Sequence, residues 1–221
     1  MKVIVVANQK GGVGKSTISC NLAVCAAKDG KRTALVDADP QGSSIQFRAL
    51  RQTDDILAVA MTKPTILQDI KHLSDFDIVV VDSGGRDNAL FRSAVTSAIY
   101  GILLIPLLPS ALDVWATEDT FKILGEARSV GAQINACALF NQVKHGTTLV
   151  KQAKEALVDL TGDNEVQLLD CTLGDREAFK QAFMGGYGVI EYDPSSKAAE
   201  EMNALYNTLT EILANADGVN G

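Results

Sequence analysis

A glycine-rich stretch carrying two lysines, Lys10-Gly11-Gly12-Val13-Gly14-Lys15-Ser16-Thr17, follows directly on the apolar run Val3-Ile4-Val5-Val6-Ala7. Glycines let a backbone turn its N–H groups inward around phosphate oxygens, and a helix opening at Lys15 adds its positive dipole end. In that setting Lys15 reaches the β- and γ-phosphates of a nucleotide and the Ser16 hydroxyl ligates Mg²⁺. The spacing departs from the usual G-x-x-x-x-G-K-[ST] pattern, because Gln9 stands where its first glycine belongs and a second lysine, Lys10, precedes Gly11.

Two acidic segments complete the chemistry. Arg32-Thr33-Ala34-Leu35-Val36 leads into Asp37-Ala38-Asp39-Pro40-Gln41-Gly42, and Ile78-Val79-Val80-Val81 ends in Asp82. Carboxylates at the C-terminal ends of parallel strands face the ligand crevice of an open α/β sheet. Asp82 there has a Walker-B role, holding a metal-bound water. Taken singly, either aspartate would serve equally well as a helix N-cap; the phosphate loop upstream favours the metal.

These residues need a scaffold that brings strand ends together. Short β-branched runs alternate with helical patterns, which predicts a single-domain P-loop α/β fold: a twisted, mostly parallel sheet with helices on both faces. Strands are expected near 2–8, 32–37, 77–82, 101–106, 134–140 and 166–170, with a weaker one near 56–60. Helices are expected near 15–29, 41–52, 65–73, 87–98, 113–130, 147–160, 175–184 and 195–214. The domain is expected to span 1–214, leaving 215–221 as a small polar tail that frays.

The chain has 221 residues, enough to cover one such sheet, and a net charge of −7. An overall acidic balance argues against nucleic-acid binding, although a local basic patch is compatible with it. The four cysteines, Cys20, Cys25, Cys137 and Cys171, have no C-x-x-C spacing, and His72 and His145 stand alone, so buried thiols are favoured over a metal site. No apolar run approaches the roughly 18–20 residues of a membrane span, and the start is too short for a signal segment. A cytoplasmic protein is expected. The last helix carries Met202, Leu205, Leu209 and Ile212 at helical spacing but no basic face, so it reads as core packing and not as a membrane-surface helix.

Taken together, the motifs resemble those of the ParA/MinD superfamily of deviant Walker-A ATPases, and most of all those of small ParA partition proteins. Asn8 to Thr17 resembles the signature-lysine loop, Val36 to Gly42 the first switch, and Val80-Val81-Asp82 the Walker-B strand. Pro106-Leu107-Leu108-Pro109-Ser110-Ala111-Leu112-Asp113 resembles the P-x-x-P-S-x-x-D segment, and Tyr192 to Glu200 the turn flanking the adenine pocket. The resemblance implies an ATPase using ATP and Mg²⁺, with weak intrinsic turnover. Gly11, Gly12, Val13, Gly14, Lys15, Ser16 and Thr17 would hold the phosphates; Asn141, Asp193 and Pro194 would stand at the adenine, although an asparagine such as Asn141 is also an ordinary turn former. Ser16, Asp37 and Asp82 would hold Mg²⁺, the aspartates through water. Lys10, Lys15 and Asp39 would be catalytic, with Asp39 orienting the attacking water and Lys10 crossing to the other subunit of an ATP-bound homodimer. Ser83-Gly84-Gly85-Arg86-Asp87 departs from the family, which often has proline after the Walker-B aspartate, and implies a flexible second switch.

The activity implied is a nucleoid-associated positioning ATPase, coating DNA without sequence preference until a ParB-like centromere-binding or adaptor protein triggers hydrolysis. The cargo is a plasmid, a chromosome or another assembly. With the first strand at residue 2, no N-terminal helix-turn-helix is expected. Candidate DNA contacts are Lys144, Lys151, Lys154, Arg176, Lys180 and Lys197, although each lysine is equally well read as part of a solvated face. The alternative is a MinD-like membrane-associated positioner, against which the acidic last helix argues.

Overall fold

The computed structural model describes residues 1–86, 88–144, 149–161 and 166–218, with side chains through 216. His145, Asp87, residues 147–148 of one expected helix and residues 219–221 of the expected tail lie outside the described residues.

The strands are β1 (Lys2–Val6), β2 (Thr33–Ala38), β3 (Ile56–Ala60), β4 (Ile78–Ser83), β5 (Gly101–Leu107), β6 (Asn135–Phe140) and β7 (Val166–Leu168). The helices are α1 (Lys15–Lys28), α2 (Ser43–Leu50), α3 (Ile66–Asp69), α4 (Ala89–Thr96), α5 (Ala111–Trp115), α6 (Glu118–Ser129), α7 (Leu149–Thr161), α8 (Glu177–Met184), α9 (Val189–Tyr192) and α10 (Lys197–Gly218). The strands pair in the order β3-β2-β4-β1-β5-β6-β7, every pair parallel.

Alternate residues of each strand point to opposite faces, and both faces are buried. Val3, Val5, Val36, Val79, Val81, Leu103 and Ile105 pack on one side with Phe91, Phe121, Leu124 and Leu157 from α4, α6 and α7. Ile4, Val6, Leu35, Val80, Ile102 and Leu104 pack on the other with Leu22, Phe47, Phe179, Val189, Met202 and Leu209 from α1, α2, α8, α9 and α10. Each such side chain contributes roughly 1.5–3 kcal/mol by leaving water, which explains why long runs such as Ile78 to Val81 carry no polar residue.

Three details differ from expectation. The helix expected over 113–130 is two: α5 ends at Trp115, and the buried Thr117 hydroxyl donates to the Val114 carbonyl, where a continuing helix would be disturbed. The short α9 has no counterpart in the sequence reading; the Glu191 carboxylate reaches back to the Gly188 N–H at 3.1 Å and caps it. Last, α10 continues past Ala214 to Gly218, into the stretch expected to fray.

The sheet register aligns the strand ends that matter. Val6 pairs with Asp82 across β1–β4, and Asp37 pairs with Asp82 across β2–β4. β1 is flanked by β4 on one side and β5 on the other. The sequence order of the strands changes direction there, and the loops after β1, β2 and β4 line one crevice.

Candidate nucleotide site

Gly12 and Gly14 have φ of 76° and 87°, a conformation other residues adopt only with strain, and they bend the loop so that α1 begins at Lys15. Two side chains from the end of β6 grip this loop. Asn141 Nδ2 donates to the Val13 carbonyl at 2.8 Å, and Gln142 Nε2 donates to the Gly12 carbonyl at 2.9 Å. A Cβ at Gly14 would lie 2.3 Å from Asn141 Nδ2. The loop entrance is held from the other side: the buried Asn8 donates to the Pro106 carbonyl and accepts from the Lys10 N–H, both at 2.8 Å, while Thr120 Oγ1 accepts from the Gln9 N–H at 3.0 Å.

Lys15 is almost fully covered, and its ammonium donates to the Lys10 carbonyl at 3.2 Å. Burial pulls its pKa down, and the Asp82 and Asp39 carboxylates oppose that. Lys10 points elsewhere. Its Nζ lies 2.6 Å from Asp113 Oδ1, on the segment after β5, and Asp113 Oδ2 also accepts from the Ser110 hydroxyl at 2.6 Å. Partial burial works to raise the Asp113 carboxyl, but Lys10 and Ser110 overcome it and hold the group below the usual carboxylate range.

Asp82 is fully buried, and burial raises its pKa to about 7 against the hydroxyls of Ser16 and Ser44, with Asp37 raising it further and Lys15 lowering it. Asp37 Oδ2 accepts from the N–H groups of Ser44 and Ile45, at 2.9 and 3.0 Å, and Oδ1 accepts from the Asp39 N–H at 3.1 Å. Burial raises this carboxyl too, against those three backbone donors. Asp37 therefore does serve as the N-terminal anchor of α2, the helix-cap alternative, while standing beside Asp82. Asp39, with Gln9, Gly11, Gly84, Gly85 and Arg86, lines a cavity of about 630 Å³ over the loop. A Cβ at Gly85 would come 3.0 Å from the Gln9 carbonyl and 3.3 Å from Lys15 Nζ, so the second glycine after Asp82 and Ser83 gives this turn its close approach to the phosphate loop.

A second cavity, of about 250 Å³, adjoins the start of α1 and is lined by Gly14, Thr17, Asn141, Phe179, Lys180 and Arg176 among others. Arg176, read from sequence as a DNA contact, is the N-cap of α8 and forms part of this wall; its Nε donates to Glu201 Oε2 at 2.9 Å and its Nη2 to Oε1 at 2.5 Å. Asp193 and Pro194, expected at the adenine, are exposed in the turn between α9 and α10 and do not line this cavity; the Asp193 carboxylate bonds Ser195 instead. Among the other expected DNA contacts, Lys144 lies 4.0 Å from Asp175 and Lys180 lies 3.9 Å from Glu177. The sequence reading missed Asn8, Thr120, Gln142 and Ser44. Only Asn8 carried a signal, as a polar residue closing an apolar strand.

Mg-ATP fits this arrangement. The loop presents a glycine-built cradle with a buried ammonium that, among the described residues, donates to one main-chain carbonyl, as an anion site requires. The nearby oxygens of Ser16, Asp37 and Asp82 are the hard ligands Mg²⁺ prefers. Among the described residues no cluster of His, Cys, Asp and Glu forms a separate metal site.

The family model described as the CobQ/CobB/MinD/ParA nucleotide binding domain matches residues 4–205. The chain belongs to this family. As a member it is an ATPase that works on ATP with Mg²⁺. It is 30% identical over 210 residues to the maintenance of carboxysome distribution protein A of Halothiobacillus neapolitanus, covering 92% of this chain and 94% of the relative. It is 24% identical over 260 residues to the sporulation initiation inhibitor protein Soj of Bacillus subtilis, covering 97% and 99%. The ATP complex of McdA from Cyanothece shares its fold, with a TM-score of 0.78 at 17% identity over 97% of this chain and 96% of that one. So does the cell-division ATPase MinD of Pyrococcus furiosus, with a TM-score of 0.72 at 20% identity over 95% and 98%. No helix among the described residues is long and apolar enough to cross a membrane.

Proposed function

We propose that this chain is a positioning ATPase whose ATP state joins two copies and holds them on DNA without sequence preference until a ParB-like or adaptor protein stimulates hydrolysis. One observation carries the reading: Lys10 sits in the phosphate loop yet turns its ammonium out of it, to Asp113 at 2.6 Å. A lysine that serves its own nucleotide would point inward, as Lys15 does. An outward lysine that exchanges Asp113 for the partner copy's phosphates would neutralise developing charge much as an arginine finger does.

In this reading Lys15 and the backbone of Gly11 to Thr17 hold the phosphates. Ser16 binds Mg²⁺, and Asp37 and Asp82 hold its waters. Asp39 lines the cavity over the loop and orients the attacking water. Asn141, fixed on the loop through Val13, borders the purine side. Lys144, Lys180 and Lys197 are exposed and would meet DNA phosphates, whereas Arg176 is committed to Glu201. Relatives are named for carboxysome distribution and for chromosome partitioning, so the cargo is a protein assembly or a DNA molecule, and such a protein would sit on the nucleoid.

The test is Lys10→Ala, followed by light scattering and by anisotropy with unrelated duplexes, with and without ATP at two salt concentrations. Wild type should dimerise and bind DNA in ATP, and the DNA affinity should fall steeply with salt. The variant should bind ATP yet remain monomeric. Normal dimerisation by the variant refutes the role of Lys10, and wild type indifferent to DNA in ATP refutes nucleoid coating.

A further inference from the structure

Ser44, the second residue of α2, is fully buried and touches both carboxylates of the metal site. Its hydroxyl donates to Asp82 Oδ2 at 2.8 Å, and its backbone N–H donates to Asp37 Oδ2 at 2.9 Å. Asp37 and Asp82 are register partners on adjacent strands, so Ser44 bridges two chain segments that approach the metal separately. Cys20 Sγ of α1 lies 3.4 Å from the Ser44 oxygen. The serine has a single O–H and gives it to Asp82, so the thiol is left to donate to the serine. The order is then Cys20 to Ser44 to Asp82, with no solvent access at any link. On the other side of the carboxylate, Asp82 Oδ1 is turned toward α1, where Ser19 Oγ lies 3.5 Å away.

We propose that Ser44 is a positioning residue for Mg²⁺: it fixes the rotation of the Asp82 carboxylate by taking Oδ2, leaving Oδ1 toward the α1 side that carries Ser16. This rests on the Mg-ATP reading of the site. Partners of this kind act because a carboxylate that holds a metal-bound water and can rotate must be ordered again each time the metal binds. Ser44 also stands near the water-orienting segment in sequence: Gly42, with φ of 70°, bends the chain from Asp39-Pro40-Gln41 into α2 two residues before Ser44.

The test reads metal linkage and not turnover. Affinity for a fluorescent ATP analogue is measured in excess Mg²⁺ and in EDTA, and the ratio of the two is the Mg²⁺ coupling. In Ser44→Ala the coupling should fall about tenfold, with the EDTA affinity unchanged within about twofold because the phosphate loop is intact. Ser44→Cys keeps the volume and weakens the donor, so it should lose several-fold; it carries the test if the alanine variant does not fold. Ser43→Ala should match wild type. Wild-type coupling in Ser44→Ala and Ser44→Cys overturns the assignment, as does an equal loss with and without metal, which marks a serine that only supports the fold. Wild type with no Mg²⁺ coupling at all refutes the metal reading itself.

Discussion

Replacing Asp82 with asparagine should make the nucleotide-free protein more stable, by an amount that depends on pH. In water an aspartate titrates near 3.8, whereas this one, stripped of solvent, is pushed up to about 7. At 1.36 kcal/mol per pH unit that gap corresponds to about 4 kcal/mol. The sign follows from proton counting. Between the two values the folded protein keeps a proton that the unfolded chain has released, so the wild type loses stability as pH rises through that window. The contribution of the raised carboxyl is complete below about pH 4 and gone above about pH 7. Asparagine does not titrate. The stability of Asp82→Asn relative to wild type should therefore climb by up to about 4 kcal/mol from pH 4 to 7.5 and then level off. In a chain of this size that corresponds to roughly 10 °C in melting temperature. Urea unfolding in EDTA at five or six pH values measures it. Saturating Mg-ATP should reverse the ranking, because the metal then compensates the wild-type charge and the variant holds the metal's water less well. A difference that is flat across the pH range would refute the burial argument.

Two further substitutions probe other parts of the scaffold. Lys15→Ala removes the buried ammonium of the cradle and should weaken ATP binding at least about 100-fold, or about 2.7 kcal/mol, by calorimetry; affinity close to wild type would overturn the loop assignment. Gly186→Ala places a Cβ 2.6 Å from the Leu50 carbonyl carbon at a φ of 73°, so it should cost about 2–3 kcal/mol by denaturant unfolding while sparing nucleotide affinity in the folded protein.

Much of this protein was legible in the order of its residues. The phosphate loop could be read because its geometry is local: glycines, a lysine and a helix start within a few residues dictate their own backbone. The strands could be read because a sheet covered on both faces demands uninterrupted apolar runs, and the runs before Asn8, Asp37 and Asp82 are just that. Even the weak strand at 56–60 came out as β3, paired residue for residue with β2 from Thr33 to Asp37. Knowing that these strands are parallel is enough to place Lys15, Asp37, Asp39 and Asp82 at one edge.

What the residue order left open was which distant groups would meet there. Lys10 and Asp113, Asn141 and Val13, Ser44 and Asp82 are joined across 38 to 128 positions of chain. No local pattern encodes such pairs; they follow from the register of β1, β2, β4, β5 and β6 and from the tilt of the helices laid on them. Arg176 shows the consequence most plainly. By type and position it reads as an exposed basic contact, yet the fold sets Glu201 of α10 beside the start of α8, and Arg176 becomes a wall of the small cavity. Charge is a property of the residue, but its partner is a property of the fold, because only burial and proximity decide which opposite charge can displace water around it.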